Sequence, residues 1–301
     1  MKRFCHNTFC LILAVLSAVV SLRAQAPSDL YLFSLHQEGT NYYVFHPQLL
    51  SGFNPGGYTN QPWFTPEGDI LVSVRLSSDV QNDIYKLSVQ DLTIHRLTKT
   101  SANEYSPRFD PSRQHLSVVR QVVGEDMDQQ VFAARLTGGS FKSITPDIKD
   151  IGYYTWLDDE YLGLFRIDGE SNRLERYHIM DMKSRKVTSS VGRSLWTSTG
   201  GAVLYVHKFS VDYWYLKAYD VDAFTMHIVA ETPGLSEDFA VAPNGTFFMC
   251  DGTQLVSYHP DYDSGWNLVV DLSVYGIESA SRLAISPDGT KIAVVASNQN
   301  P

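Results

Sequence analysis

A short turn, Ser286-Pro287-Asp288-Gly289, constrains the fold more than any other stretch of this sequence. It joins two apolar runs, as in a β-hairpin: proline presets φ, aspartate hydrogen-bonds its own backbone, and glycine accepts a positive φ. Degraded copies of this unit recur along the chain. Equivalent turn positions are held by Pro66, Pro111, Asp158, Ser198, Pro243 and Pro287, which are 45, 47, 40, 45 and 44 residues apart.

Each repeat contains a second pair of strand-like segments after this hairpin, so one period supplies four short strands. A period in the forties with four strands per repeat is typical of a β-propeller. The alternative is a two-sheet sandwich, which has strands but no such long period. The sequence therefore predicts an all-β fold, a six-bladed β-propeller.

The two ends of the chain complement one another. The sixth repeat contains only an inner hairpin, residues 281–297, whereas residues 29–47 contain two strand-like segments that lack an inner pair. Pairing these segments completes a sixth blade and removes an open sheet edge, which would otherwise promote aggregation. We therefore expect the ring to be closed by pairing of the N-terminal strands with the C-terminal repeat.

The first 26 residues have the features of a secretory signal peptide. Lys2 and Arg3 give a positive start, residues 9–20 are mostly apolar, and Ala24-Gln25-Ala26 has the small-x-small pattern of a cleavage site. We expect cleavage after about Ala26 and a periplasmic or secreted protein. Residues 27–301 are then expected to form a single propeller domain.

The composition of this domain limits its partners. Removing the leader leaves 21 basic and 33 acidic residues, and the formal charge of −12 argues against nucleic acid or an anionic membrane surface. No later segment reaches the roughly 18–20 apolar residues of a membrane-spanning helix, so we expect no stable membrane insertion. One cysteine remains, Cys250, which excludes an internal disulfide. We expect it to be a buried apolar residue rather than a reactive thiol.

The repeats resemble those of TolB-type six-bladed propellers. Phe64-Thr-Pro-Glu-Gly68, Ala242-Pro-Asn-Gly245 and Ile285-Ser-Pro-Asp-Gly289 carry the likeness, together with Asp83-Ile-Tyr85 and His95-Arg-Leu-Thr98. The resemblance covers residues 29–297, although the third and fourth repeats lack the Pro-Asp-Gly turn. It implies an exported, non-enzymatic propeller that binds a protein or peptide of the cell envelope, as a monomer or within a complex. We expect the propeller alone, without the separate N-terminal α/β domain of TolB.

Two other functions stay open at this point. The first is a propeller enzyme of lactonase or glycan-acting type, with a metal ion or carboxylates in the central channel. A peptidase is excluded, because the chain contains no Gly-x-Ser-x-Gly motif. The second is a carbohydrate-binding module that would use Trp63, Trp156, Trp196, Trp214 and Trp266. The first three lie on inner strands, where we expect them to pack between blades.

The loops that lead into the inner strands are expected to converge on one face of the ring. They carry tyrosines and charged residues, a composition that suits a protein or peptide partner. The predicted binding residues on this loop-rich face are Tyr58, Glu104, Tyr105, Tyr154, Arg193, Glu237, Glu278 and Arg282. The loop with Glu125 and Asp126 is expected to reach the same face.

The sequence predicts no catalytic residue, no metal site and no cofactor. The histidines are scattered, with no close pair and no HExxH motif. Asp261-Tyr-Asp-Ser-Gly265 lacks the later glutamate of a calcium loop and is interpreted as a turn. A Ca²⁺ ion in the central channel, held by acids from several loops, stays open as an alternative.

Overall fold

Six four-stranded antiparallel sheets are arranged as the blades of a ring in the structure, a computed structural model that describes residues 25–121, 128–169 and 171–297. The predicted six-bladed β-propeller is confirmed. Residues 1–24 of the predicted leader lie outside the described residues, as do Glu125 and Asp126.

The blades are numbered by the order of their inner strands. Blade 1 contains β3 (Tyr58–Phe64), β4 (Ile70–Arg75), β5 (Asp83–Leu87) and β6 (Ile94–Arg96). Blade 2 contains β7 (Glu104–Phe109), β8 (His115–Gln121), β9 (Gln129–Arg135) and β10 (Lys142–Ser143). Blade 3 contains β11 (Ile151–Trp156), β12 (Tyr161–Arg166), β13 (Arg173–His178) and β14 (Lys183–Ser189). Blade 4 contains β15 (Val191–Thr197), β16 (Val203–Lys208), β17 (Trp214–Asp220) and β18 (Thr225–Glu231). Blade 5 contains β19 (Phe239–Val241), β20 (Phe247–Asp251), β21 (Gln254–Tyr258) and β22 (Asn267–Asp271). Blade 6 contains β23 (Ala280–Ile285), β24 (Lys291–Ala296), β1 (Asp29–Glu38) and β2 (Asn41–Leu49).

Blade 6 is assembled from both ends of the chain. Strand β1 pairs antiparallel with β24, from Asp29 opposite Ala296 to Ser34 opposite Lys291. The other edge of β1 pairs with β2, so the strand order of the sheet is β2-β1-β24-β23. The predicted closure of the ring by the N-terminal strands is therefore confirmed.

The hydrophobic core lies between neighbouring blades. Strand β4 illustrates why, because alternate side chains of a strand point to opposite faces of its sheet. Ile70 and Val72 pack against Leu30 of blade 6, whereas Leu71 packs against Val118 of blade 2. All five of these side chains are fully buried. A strand buried on both faces is a continuous apolar run, which explains the sequence Ile-Leu-Val at its start.

The Ser286–Gly289 turn has the geometry that its residues predict. Gly289 has a φ of +71°, and its backbone N–H donates to the carbonyl oxygen of Ser286 at 2.9 Å. Asp288 accepts from the hydroxyl of Ser286 at 2.6 Å and from the backbone N–H of Thr290 at 3.0 Å. These hydrogen bonds, that from Ser286 above all, hold the pKa of Asp288 below its ordinary value.

The outer strands β6 and β10 are shorter than the sequence pattern suggests. In blade 1 the hydroxyl of Thr98 accepts from the backbone N–H of Ile84 at 2.8 Å. In blade 2 the hydroxyl of Thr145 accepts from the backbone N–H of Val131 at 2.9 Å. In both blades a threonine side chain takes the place of a backbone carbonyl, and regular pairing ends there.

The single cysteine of the domain is buried between blades 5 and 6. Cys250 packs in one apolar cluster with Phe248 and Leu255. Burial raises the pKa of its thiol to about 12. The thiol is therefore protonated at neutral pH and acts as an apolar side chain, as predicted from the sequence.

A pair of phenylalanine variants tests whether the N-terminal hairpin belongs to the core. Phe33 on β1 is fully buried and lies 5.3 Å, centroid to centroid, from the ring of Tyr275. We expect Phe33→Ala to lower the free energy of unfolding by about 3–5 kcal/mol, because the lost side chain leaves a cavity. The matched control is Phe45→Ala on β2, which is 46% exposed and is expected to cost less than about 1 kcal/mol. Urea unfolding measures both, and equal losses would contradict the closure.

Candidate binding site in the central channel

The inner strands line a central channel, and their first residues gather at one of its ends. We call this end the arginine mouth and define it by Tyr58, Tyr105, Tyr153, Arg193 and Arg282, which interact electrostatically around the hydroxyl of Tyr58. Below the mouth lies a cavity of about 70 Å³. The charged side chains that line this cavity are Arg108, Arg193, Arg282 and Asp238.

Arg193 and Asp238 form the central ion pair of the arginine mouth. Nε of Arg193 donates to Oδ1 of Asp238 at 3.0 Å, and Nη2 donates to Oδ2. Burial disfavours the charged form of Asp238, but the hydrogen bonds and charge of Arg193 outweigh it and hold the pKa of this carboxyl below its ordinary range. Asp238 is therefore ionised at neutral pH and is not placed to act as a proton donor.

Two more charges adjoin this pair. Glu237 accepts from Nζ of Lys208 at 2.8 Å, and another of its carboxylate oxygens lies 3.5 Å from Nε of Arg193. The backbone N–H of Arg193 also donates to Glu237 at 3.2 Å. The guanidinium of Arg193 is thus fixed from two sides, which reduces the entropy lost when a ligand contacts it.

Arg282 connects blade 6 to blades 1 and 3 across the mouth. Its Nη1 donates to Oδ1 of Asn60 at 3.0 Å, and its Nη2 donates to the hydroxyl of Tyr153. The guanidinium also lies 5.2 Å from the centroid of the Tyr153 ring. Burial raises the pKa of Tyr58, against the opposing effect of Arg282. The Tyr58 hydroxyl therefore remains neutral and able to donate a hydrogen bond at physiological pH.

The segment before β1 adds a polar contact at the same mouth. Nη2 of Arg75 donates to the backbone carbonyl of Gln25 at 2.8 Å. Nδ2 of Asn82 donates to the side-chain oxygen of Gln25 at 2.9 Å. Both Asn82 and Gln25 also hydrogen-bond to Tyr105, whose pKa is raised by burial. Gln25 therefore occupies a subsite formed by Arg75, Asn82 and Tyr105, one residue before the predicted cleavage position.

Five of the eight predicted binding residues lie together in the structure. Tyr58, Tyr105, Arg193 and Arg282 belong to the arginine mouth, and Glu237 contacts Arg193 directly. They come from blades 1, 2, 4 and 6 and from the segment before blade 5. The convergence of the loops that lead into the inner strands brings them together.

The other three predicted residues lie outside the arginine mouth. Glu104 is fully buried beside β5, where its Oε1 accepts from the hydroxyl of Thr100 at 3.0 Å and burial raises its pKa. Tyr154 lies deeper than the mouth: it lines the 70 Å³ cavity below, is almost fully buried and donates to the hydroxyl of Ser117 at 2.8 Å. Glu278 is exposed on the loop before β23. Side chains alternate along a strand, so Tyr105 and Tyr153, rather than their neighbours, face the mouth.

Sequence reasoning missed Arg108 and Asn82. A signal for Arg108 was present, because it lies three residues before the turn position of its repeat. The equivalent positions in the other repeats hold uncharged residues: Trp63, Thr155, Leu195, Ala240 and Ala284. Arg108 is the one charged residue at this position of the six repeats. A charged side chain cannot pack between blades as the uncharged residues do, so it indicates a different role. Asn82 carried no comparable signal.

The opposite end of the channel, where the hairpin turns lie, is lined by tryptophans. We call it the tryptophan mouth and define it by Trp63, Trp156 and Trp196. Two cavities of about 650 Å³ and 300 Å³ lie here, and both are lined by Trp63 and Trp196. Nε1 of Trp156 donates to the hydroxyl of Ser117 at 2.9 Å. These half-buried tryptophans pack against the clusters between blades, as expected, and also line the channel.

The described part of the chain contains no group of three or more His, Cys, Asp or Glu side chains that could hold a metal ion. Residues 261–265 form a turn region, in which Asp263 accepts from the backbone N–H of His259 at 2.7 Å. The 70 Å³ cavity is lined by three arginines and one aspartate. Its charge therefore favours anions over cations.

No protein-family model matches the chain, and no curated protein matches it either. Solved structures do match. A protein from Agrobacterium tumefaciens assigned as TolB gives a TM-score of 0.63 at 14% identity, over 92% of this chain and 100% of that one. TolB from Acinetobacter baumannii gives 0.56 at 16% identity, over 90% of this chain and 64% of that one.

Enzymes share the same fold. Oligogalacturonate lyase in complex with manganese gives a TM-score of 0.55 at 13% identity, over 86% of this chain and 83% of that one. At such identities the likeness shows the fold alone. The protein is a six-bladed β-propeller, and its fold is similar to that of TolB and to that of several enzymes. Among the residues that the structure describes, no helix is long and apolar enough to cross a membrane.

The Arg193–Asp238 pair predicts a pH-dependent stability. We expect Asp238→Asn to lower the free energy of unfolding at pH 7 by about 1.5–3 kcal/mol, because a charged hydrogen bond is lost in a buried site. The pKa of Asp238 is lowered in the folded state, so its contribution is present above the ordinary aspartate value and lost as the pH falls through the lower, folded value. The difference in unfolding free energy between Asp238→Asn and the unmodified protein should therefore become smaller below about pH 4.

Urea unfolding at pH 7 and at low pH measures this difference. Asp212→Asn is the matched control, because the side chain of Asp212 is exposed. It should leave the unfolding free energy unchanged at both pH values. If Asp238→Asn lowers the unfolding free energy equally at pH 7 and at low pH, the ion pair is contradicted.

Proposed function

We propose that this chain is an exported, non-enzymatic propeller that binds a protein or peptide of the cell envelope at the arginine mouth. The likeness to TolB structures supports this proposal, and so does the leader-like sequence of residues 1–26. Cleavage after about Ala26 would place residues 27–301 in the periplasm or outside the cell. There the propeller acts as a monomer or within a complex.

The observation that carries this proposal is the cluster of tyrosines and arginines at the arginine mouth. Tyrosine and arginine are the residues that, with tryptophan, contribute most often to the binding energy of protein interfaces. Arg193 and Arg282 are already oriented by Asp238 and Asn60. A partner that binds here therefore meets ordered side chains and does not need to order them itself.

The contacts of Gln25 indicate what such a mouth recognises. Arg75 binds a backbone carbonyl of the segment before β1, and Asn82 binds a primary amide on its side chain. Any extended peptide offers backbone carbonyls, and a glutamine or asparagine in that peptide offers a primary amide. A peptide partner would use the same donors once the leader and Gln25 are removed.

An enzyme of lactonase or glycan-acting type is the second candidate, and the shared fold of oligogalacturonate lyase favours it. The channel carboxylate Asp238 is bound to Arg193, so it is not free to transfer a proton or to bind a metal. We expect no turnover of oligogalacturonate or of a sugar lactone when Mn²⁺ or Ca²⁺ is added. Turnover that Asp238→Asn abolishes would replace the binding proposal with the enzymatic one.

Site-specific photo-crosslinking in the source cells tests the binding proposal. A photoreactive residue at Tyr105 should form a covalent adduct with a polypeptide, whereas one at Thr199, exposed beside the tryptophan mouth, should not. We expect the double variant Tyr153→Ala with Arg282→Ala to reduce this adduct by about tenfold or more, because both side chains would contact the partner.

The matched control is Tyr43→Ala with Arg135→Ala. It removes the same kinds of side chain from exposed positions on β2 and β9. It should leave the adduct unchanged. Equal adducts from Tyr105 and Thr199, or no effect of the double variant at the arginine mouth, would overturn the proposal.

A further inference from the structure

Arg108 is a charged side chain inside the channel that has no carboxylate partner. Its Nη2 donates to the backbone carbonyl of Leu195, across the channel on β15, at 3.3 Å. Of the residues that the structure describes, none places a carboxylate oxygen within 4.0 Å of this guanidinium. Arg108 is half-buried in the channel, and desolvation lowers the pKa of its guanidinium. A single long hydrogen bond to a neutral carbonyl compensates only part of the desolvation of this charge.

The other arginines of the channel differ from Arg108 in this respect. Arg193 is bound by Asp238, and Arg282 by Asn60 and Tyr153. The unsatisfied positive charge is therefore localised at one residue. It lies in a protein whose formal net charge is −9, so its sign is opposite to that of the molecule as a whole.

Arg108 is reached from the tryptophan mouth. It lines the 300 Å³ cavity there together with Trp63, Trp156 and Trp196. This cavity shares walls with the 650 Å³ cavity, whose lining includes Pro66, Pro243 and Pro287. Pockets for small molecules have volumes of about 300–1,000 Å³, mostly apolar walls and a few polar groups. The tryptophan mouth has this construction, with Arg108 as the polar group at its inner end.

The neighbouring charges do not neutralise Arg108. Asp110 lines the same cavity, but its Oδ1 accepts from the backbone N–H groups of Gln114 and His115, and its Oδ2 accepts from Ser112 and contacts the His115 ring. Arg113 lines both cavities and is exposed, so it adds a second positive charge near the entrance.

The position of Arg108 on β7 is fixed by the surrounding hydrogen bonds. The hydroxyl of Ser117 donates to the carbonyl oxygen of Arg108 at 3.0 Å. This hydroxyl in turn accepts from Tyr154 at 2.8 Å and from Trp156 at 2.9 Å. The backbone that carries the guanidinium is thus attached to two side chains of blade 3, one of which forms part of the tryptophan mouth.

We propose that the tryptophan mouth binds a small organic acid with an apolar, aromatic body. Arg108 holds the carboxylate, since a guanidinium matches the two oxygens of a carboxylate in geometry and charge. The tryptophan and proline walls hold the body. This site is at the opposite end of the channel from the arginine mouth and does not depend on the proposed protein partner.

Binding of naphthalene-2-carboxylate, measured by isothermal titration calorimetry and by tryptophan fluorescence, tests this site. We expect saturable binding that perturbs the tryptophan emission. Naphthalene-2-carboxamide has the same body without the charge and should bind about 10- to 100-fold more weakly. Equal affinity for the acid and the amide would overturn the role of the charge.

Two further probes separate the carboxylate from the body. Acetate provides the carboxylate alone, and galacturonate provides it on a polar sugar ring. Both should bind at least tenfold more weakly than the naphthoate. Tighter binding of galacturonate would overturn the apolar body and favour a sugar acid. Binding of a peptide with an acidic C-terminus, but not of the naphthoate, would overturn the small-molecule proposal.

Arg108→Met is the decisive variant, because methionine keeps an unbranched chain and removes the charge. It should weaken naphthoate binding by about 10- to 100-fold. It should also raise the melting temperature of the ligand-free protein or leave it unchanged, since replacing a partly buried charge that has no carboxylate partner by an apolar side chain removes a desolvation cost. Unchanged affinity, or a marked fall in melting temperature, would contradict the proposal.

Two controls accompany this variant. Arg135→Met makes the same substitution at an exposed position on β9 and should affect neither binding nor melting. Arg108→Lys keeps the charge but loses the fork-like geometry, so it should bind the naphthoate with intermediate affinity. Full affinity in Arg108→Lys would show that charge alone suffices and would overturn the bidentate contact.

Discussion

The packing of six sheets face to face around one channel determines where polar groups can lie in this protein. In β4 both faces are buried against neighbouring blades, so the interior positions of that strand are apolar, apart from Ser73. In the other blades, polar and charged side chains are concentrated at the ends of the inner strands and on the channel wall. Most of the ordered arginine and tyrosine contacts described here are found at these positions.

The two mouths of the channel differ because opposite ends of the inner strands face them. The strand starts carry Arg193, Arg282 and Tyr153, which form a polar rim joined by hydrogen bonds. The strand ends carry Trp63 and Trp196 and lead into proline-rich turns, so the opposite mouth is wide and apolar. A single ring thus offers two chemically distinct surfaces. Arg108, which lines cavities toward both ends, is the charge between them.

The architecture could be predicted from the sequence because its signals are local. A turn such as Ser286–Gly289 depends on hydrogen bonds within five residues and on a glycine φ of +71°, and it recurs at a regular spacing. The lengths of β6 and β10 could not be predicted, because Thr98 and Thr145 replace backbone carbonyls on neighbouring strands. Such a replacement depends on where a side chain lies once the sheet has formed.

The site was predicted less completely, for a related reason. Arg193 and Arg282 were predicted correctly because they lie on loops that converge at one end of the channel. Tyr154 and Glu104 were selected for the same reason, but their side chains point away from the mouth and are buried. Alternation along a strand decides between Tyr153 and Tyr154, and it can be applied only when the strand's first residue is known. The Gln25 contacts were beyond sequence reasoning, since they join residues 50 and 57 positions apart in the chain.

The antiparallel pairing of β1 with β24 has a consequence for how the molecule is made. A ribosome releases β1 before β24, so β1 can pair with β2 at once, but its other edge stays unpaired until the strands of the other five blades and β24 have been synthesised. Contacts between residues so far apart in sequence form slowly, and an unpaired strand edge invites association with other chains in the meantime. The nascent protein therefore passes through a long interval in which five blades can assemble but the ring is still open. A chaperone that covers the edge of β1 during this interval would protect the step on which completion of the ring depends.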